Sequence, residues 1–370
     1  MSPARTSQLM AGLVVSDQLV IQSQSGPYTV YFDDRGMPAA EHFGNRSSHC
    51  LIDANVARLY RSEFPQLLAQ QNTIVIEATE DNKSIENLIP VFQRLVADGI
   101  RRDHMLVAVG GGIIQDICCF IASTLLRGIP WRFIPTTLLA QADSCIGSKS
   151  SINLAGAKNI LGTFKPPRDV FVHANFLNTL ESKDISSGIG EILKVHAIDG
   201  VDSFDRLATD FPLLHTDKGV LQKYVRSALC IKRRYIEEDE FDRGVRNIFN
   251  YGHSFGHAIE SATAFEVPHG IAVSMGMDIA NYIAADRSLI PPEHYRRMHS
   301  TLRQNFADYA HTPIALDAVL SALMRDKKNT TTELGLILPL GENASIQRVM
   351  IVPDDVFRSQ FAAALARVRE

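Results

Sequence analysis

The chain has 370 residues, 45% hydrophobic and 21% charged, with a net charge of −4. That length exceeds one ordinary core and predicts two domains, while the mild acidity excludes a general nucleic-acid binder. Cys50, Cys118, Cys119, Cys145 and Cys230 are odd in number and form no CxxC pair, which excludes a disulfide framework and a thiolate zinc site.

The first ~15 residues read as a loose tail, and Leu9 to Val15 is too short and poorly flanked for a signal peptide. Tyr28 to Phe32 then predicts a strand. Ser48 to Ile52 predicts another, ending at Asp53, with a helix through Val56 and Leu59-Tyr60. Thr73 to Ile76 reads as a strand, and Ser84 to Asp98 as a helix with apolar Leu88, Ile89, Phe92, Leu95 and Val96 at helical spacing. Met105 to Val109 is a strand, Ile113 to Leu126 a helix, and Arg132 to Pro135 a strand that stops at proline. Pro135 to Asn153 reads as a long polar connection, and Val170 to Val172 as the last strand of the first half. Such alternation predicts a mostly parallel sheet covered by helices. Beyond a boundary at Asn178 the patterns are long, helical and poor in strand-like runs. Candidate helices cover Gly188 to Ile198, Val220 to Glu238, His253 to Ala264 and Ile271 to Asp286. No apolar run is long enough to span a membrane, so a cytoplasmic protein is expected.

Chemistry concentrates at a few places. Gly110-Gly111-Gly112, between a strand and a helix, lets backbone N–H groups approach a pyrophosphate, and equally makes a tight structural turn. Asp53, and Glu80 with Lys83, suit nucleotide hydroxyls, or a helix cap and surface charges. Asp143, Lys149 and Lys158-Asn159 gather in the polar connection, which suits a polyanion or polyol. Glu191 and Lys194 read either as a surface ion pair or as a metal ligand beside an acid–base group. His253 and His257 share one helical face in the run Gly252 to Glu260, and His269 follows beside Gly270. Imidazoles so spaced suit a divalent metal better than packing. Ser254 follows His253, so the HExxH pattern of a metalloprotease is absent. Arg246 can clamp a carboxylate or phosphate, whereas Asp326-Lys327-Lys328 is by default a solvated charge run.

Taken together these motifs resemble dehydroquinate synthase and the wider sugar phosphate cyclase superfamily. The likeness runs from Asp53 to Lys328. It rests on Gly110-Gly111-Gly112 with Asp116, Leu126-Arg127-Gly128, Pro135-Thr136-Thr137 to Asp143 and Lys149 to Asn153. It continues through Lys158-Asn159, Glu191 to Lys194, Arg246 to His257 and His269-Gly270. The resemblance implies a Rossmann-like NAD-binding α/β domain over residues 1–178 and a mainly α-helical metal- and substrate-binding domain over 179–370. It implies that Glu191, His253 and His269 bind the divalent metal, zinc or alternatively cobalt, with His257 a non-ligand near the substrate phosphate. Asp53, Glu80, Lys83, the three glycines, Asp116, Thr136 and Thr137 would contact NAD. Asp143, Lys149, Lys158, Asn159, Lys194, Lys232, Arg246 and Asn250 would line the substrate site, completed by Lys327 or Lys328. Arg127 would reach the neighbouring subunit's site in a homodimer. Gln115, Cys145, Ser148, Ser150 and Ala157 depart from the family's usual residues. The implied reaction is a phosphate-eliminating cyclisation with transient oxidation. Its expected substrate is 3-deoxy-arabino-heptulosonate 7-phosphate, or in a specialised relative a neutral or amino sugar phosphate. A metal-dependent polyol dehydrogenase of related architecture and a non-catalytic binding protein are the readings from other classes.

Overall fold

The computed structural model describes residues 17–33, 36–44, 47–325 and 329–369. The expected N-terminal tail, and Lys327 and Lys328, lie outside the described residues.

The first half contains β1 (Gln18–Ile21), β2 (Tyr28–Asp33), β3 (Ser48–Asp53), α1 (Ala54–Leu59), α2 (Pro65–Leu68), β4 (Thr73–Ile76) and α3 (Ile85–Ala97). It continues with β5 (Met105–Gly110), α4 (Gly112–Thr124), β6 (Trp131–Pro135), β7 (Lys149–Leu154), β8 (Ala157–Phe164) and β9 (Asp169–His173). Seven of these strands form one sheet in the order β1-β2-β9-β6-β5-β3-β4, antiparallel only between β1 and β2. β5 shows why it is central. Leu106 and Ala108 face one core with α4, whereas Val107 and Val109 face another with Val56 and Leu67. Burial on both faces turns the strand into a continuous apolar run. The chain places β4 on one side of β3 and β5 on the other, so the strand order reverses between β3 and β5. The crevice beyond their carboxyl ends is where such sheets bind ligands. Asp53 and Gly110 end those two strands.

The polar connection expected over Pro135 to Asn153 is not a loop. It holds one π-helical turn, Ala140–Ser144, and then β7, which pairs antiparallel with β8. Short hydroxylated residues disguise the strand, yet Ser150 and Thr163 hydrogen-bond across it at 2.7 Å. The hairpin turns through Ala155 and Gly156, both at positive φ, and packs on α4.

Eight helices follow among the described residues: α5 (Ser182–Asp199), α6 (Val201–Asp210), α7 (Lys218–Glu238), α8 (His253–Ala262), α9 (His269–Asp286), α10 (Pro292–Phe306), α11 (Leu316–Met324) and α12 (Asp355–Arg369). Between the last two stands a hairpin of β10 (Leu334–Leu340) and β11 (Ser345–Ile351) that the sequence did not suggest, because β10 is apolar throughout and contains Pro339. α9 is buried nearly all round and packs against α5, α8, α10 and α12. A helix apolar on every face belongs in a core. Glycines set how closely its neighbours approach. A Cβ on Gly190 of α5 would lie 2.0 Å from the carbonyl oxygen of Gly270, and one on Gly270 would lie 1.8 Å from that of Ser187. No helix of the described residues is long and apolar enough to cross a membrane, and all five cysteines are free thiols.

Candidate active site

The close approach of α5 and α9 brings Glu191 to His269. Glu191 Oε1 lies 3.1 Å from His269 Nε2 and 3.5 Å from His253 Nε2, the latter at the start of α8. Glu191 is 1% exposed, and its carboxylate meets positive or polarisable groups on both oxygens, Lys194 at Oε2 and the imidazoles at Oε1. A buried carboxylate is costly unless it is paired in this way. Burial alone would raise its pKa, but Lys194, His253 and His269 hold it well below the ordinary carboxylate range. His269 gives its other ring nitrogen to both oxygens of Glu260, each at 3.2 Å, and His253 Nδ1 lies 3.2 Å from the Tyr251 carbonyl. Imidazoles oriented from behind in this way are typical of metal ligands. Burial opposes protonation of His269, yet its bonds to Glu191 and Glu260 outweigh it and lift the pKa to about 10. The nearest ligand atoms of His253, His257 and His269 all lie within 4.8 Å of one another. The side chains therefore fit a divalent cation, with Glu191 the buried anion of the set. His257 is exposed and one helical turn further on.

Lys194 and Glu191 are no surface pair. They are 3% and 1% exposed, with Nζ 2.5 Å from Glu191 Oε2 and 3.3 Å from Asp143 Oδ2. Burial would lower the Lys194 pKa, but Asp143 and Glu191 more than offset this and raise it. Lys232 of α7 contacts Asp143 twice, at the carboxylate and at the backbone carbonyl, both at 2.7 Å. Burial lowers its pKa against the pull of Asp143, and Arg246 and Lys194 lower it further. Asp143 thus ties two lysines from different helices to the π-helical turn.

This cluster opens into a cavity of about 560 Å³ between the sheet and the helices. Lys83, Gly112, Asp116, Thr137, Asp143, Lys149, Lys232, Arg246 and His269 all line it. At the end lined by Gly112, Lys83 Nζ stands 3.4 Å from both Glu80 and Asp116 and 3.2 Å from Asn159 Oδ1. Burial lifts Asp116 to about 6 against the pull of Lys83. A Cβ on Gly111 would lie 2.9 Å from Thr137 Cγ2, so any side chain there would have to displace Thr137. Asp53 caps α1 through the Asn55 N–H at 2.8 Å and stands beside Gly110, while Thr136 is buried and donates its N–H to Gly110.

Several expected site residues sit elsewhere than on the cavity wall. Asn159 joins Lys83 rather than the Lys194 cluster. Asn250 donates its side-chain amide to Asn247, within its own turn. Lys158 lies over the Phe265 ring, Nζ 3.5 Å from the centroid. The Arg127 side chain makes no hydrogen bond or ion pair among the described residues, and with Leu126 it occupies a positive-φ turn. Two partners escaped the sequence. Asp242 forms an ion pair with Lys149, and Glu260 orients His269. The latter ends the histidine run one turn after His257, a spacing that could have marked it. Asp242 carried no pattern at all.

Family models described as the 3-dehydroquinate synthase N-terminal and C-terminal regions match residues 73–187 and 188–329. A 3-dehydroquinate synthase of Alkaliphilus metalliredigens is 32% identical over 346 residues, covering 92% of this chain and 97% of that protein. A 2-epi-5-epi-valiolone synthase structure from Streptomyces hygroscopicus subsp. jinggangensis, with NAD+ and Zn2+ bound, superposes with a TM-score of 0.78 at 28% identity. It covers 92% of this chain and 96% of that one. A 2-deoxy-scyllo-inosose synthase complexed with carbaglucose-6-phosphate, NAD+ and Co2+ shares the fold, with a TM-score of 0.78 at 23% identity, covering 93% and 99% of the two chains.

Proposed function

Because the chain belongs to the 3-dehydroquinate synthase family, we propose that it converts 3-deoxy-arabino-heptulosonate 7-phosphate to 3-dehydroquinate and phosphate. One observation carries the reading: Asp143, Lys194 and Lys232 form a buried polar cluster, joined through Glu191 to His253 and His269, beside a cavity that reaches the glycine turn. Glu191, His253 and His269 would hold the metal, zinc by preference, and Gly110 to Gly112, with Asp53, Glu80, Lys83, Asp116, Thr136 and Thr137, would hold NAD. When bound, NAD supplies reversible hydride transfer and the metal polarises a substrate oxygen.

The chain's own residues do the rest. Lys194 keeps its proton between two carboxylates and offers a fixed positive charge beside developing oxyanion character. Lys232, Lys149 and Arg246 put cations along the cavity wall, which suits a substrate bearing both phosphate and carboxylate. Arg246 is buried, with Nη1 donating to the Glu240 carbonyl at 2.8 Å, so its guanidinium is presented in one orientation. That restraint positions an anion without further ordering at the moment of binding. The exposed turn at Arg127 suits a role in the cavity of a second copy, within a homodimer. Division of the chain near Asn178 and a cytoplasmic setting complete the reading; five free thiols suit a reducing compartment.

The test is phosphate release from 3-deoxy-arabino-heptulosonate 7-phosphate with NAD and zinc, the product identified by mass. Release with dehydroquinate formed and no net NADH supports the reading. Release only from sedoheptulose 7-phosphate, glucose 6-phosphate or an amino analogue would shift it to a specialised cyclase. Steady NADH accumulation with a simple polyol would replace it with a dehydrogenase.

A further inference from the structure

We propose that Gln115 is a positioning residue that holds Asp143, and through it Lys194 and Lys232, in register with the glycine turn. The inference rests on the function proposed above and concerns a residue that the motif reading left without a role.

Gln115 sits in the first turn of α4, its backbone N–H bonded to the Gly111 carbonyl at 3.1 Å. Although polar, it is only 6% exposed. Both ends of its amide are spent on one residue. Nε2 donates to the Ser144 carbonyl at 2.5 Å, and Oε1 accepts from Ser144 Oγ at 2.6 Å. A reciprocal pair of this kind fixes both position and rotation, which a single bond does not. Its target needs fixing. Ser144 ends a π-helical turn, closed by the Cys145 N–H on the Ala140 carbonyl at 2.9 Å, a rare geometry that is frequent at functional sites. The preceding residue is Asp143, whose carboxylate and carbonyl together take Lys194 and Lys232. Any rotation of the Asp143–Ser144 peptide therefore moves both ammonium groups. One α4 turn thus reaches from the Gly111 backbone, where the cofactor would lie, to the lysine cluster, where the substrate would lie.

The test compares Gln115→Ala, Gln115→Glu and Ser144→Ala with wild type, loaded with NAD and zinc. Melting temperature, NAD affinity by calorimetry, inorganic phosphate affinity and the pH profile of kcat and KM are measured. Two lost hydrogen bonds at about a factor of five to ten each, amplified by misplacement of reacting groups, lead to a fall of at least about tenfold in kcat for Gln115→Ala. NAD affinity should stay within about threefold, while phosphate affinity should weaken about tenfold. Gln115→Glu carries the sharper signature. As a carboxylate it repels the Ser144 carbonyl; protonated, it donates to that oxygen again. Its kcat should recover relative to wild type as pH falls, and Gln115→Ala should not. A lowered melting temperature with kcat and phosphate affinity within twofold of wild type would reduce Gln115 to packing and overturn the proposal. So would weakened NAD binding with kcat unchanged at saturating NAD. Should wild type itself release no phosphate, the function assigned above fails, and phosphate affinity alone then decides the positioning role.

Discussion

Gly190→Ala puts the close backbone approach beside the candidate metal site to the test. The new Cβ would sit 2.0 Å from the Gly270 carbonyl oxygen and 2.9 Å from Ser274 Oγ. A carbon–oxygen contact needs about 3.3 Å, so α5 and α9 must separate by roughly 1.3 Å. The adjoining residues are Glu191 and His269, now 3.1 Å apart. Ligand bonds to zinc tolerate deviations of only about 0.2 Å, so the separation would put one of these two proposed ligands out of reach. Zinc affinity should fall by at least about tenfold, on the scale seen when metal-site geometry is loosened. Overpacking should also cost about 1–3 kcal/mol of stability. The assay is zinc competition with a chromophoric chelator, with thermal melts in parallel. Gly36→Ala, where an added Cβ meets nothing within 4 Å and φ is not positive, is the neutral control. Wild-type zinc affinity and melting temperature in Gly190→Ala would refute the close-approach argument.

Glu260→Gln should keep the fold but weaken zinc about tenfold, because the carboxylate orienting His269 is lost; equilibrium dialysis checks it, and an unchanged affinity would leave Glu260 structural. Lys194→Ala should retain metal and lose turnover, since it strips the ammonium from between Glu191 and Asp143; wild-type rates would dismiss its role. The third concerns pH. Burial lowers His196 from 6.5 to about 4, so it is neutral in the core and bonded to Ser203 Oγ. Its contribution is fully present above pH 6.5 and lost as pH falls towards 4, at most about 3 kcal/mol. Urea unfolding of His196→Gln across that window should show a shallower acid decline than wild type; parallel curves would contradict the shift. The decline should not vanish, because His294 is lowered to about 4 in the same way.

Much of this molecule was legible before any fold was drawn. The run Val107-Ala108-Val109 into three glycines reads as a buried strand ending in a glycine turn, and β5 is that strand. Two histidines four apart must share a helical face, whatever surrounds them. Those statements follow from local geometry, which the sequence fully specifies. The polar residues of β7 misled for the same reason. Their strand is made by cross-strand partners such as Thr163, thirteen residues away, and nothing local announces them. Glu191 and Lys194 read more readily as a surface pair; only burial beneath α9 makes them an internal anion and cation. Asp242 acquires meaning only from Lys149, ninety-three residues before it. The chain by itself determined which residues could do chemistry at a strand end or on a helix face. Tertiary packing decided which of them meet, because the contact of α5 with α9 is set by backbone approach at Gly190 and Gly270, and no periodicity encodes that distance.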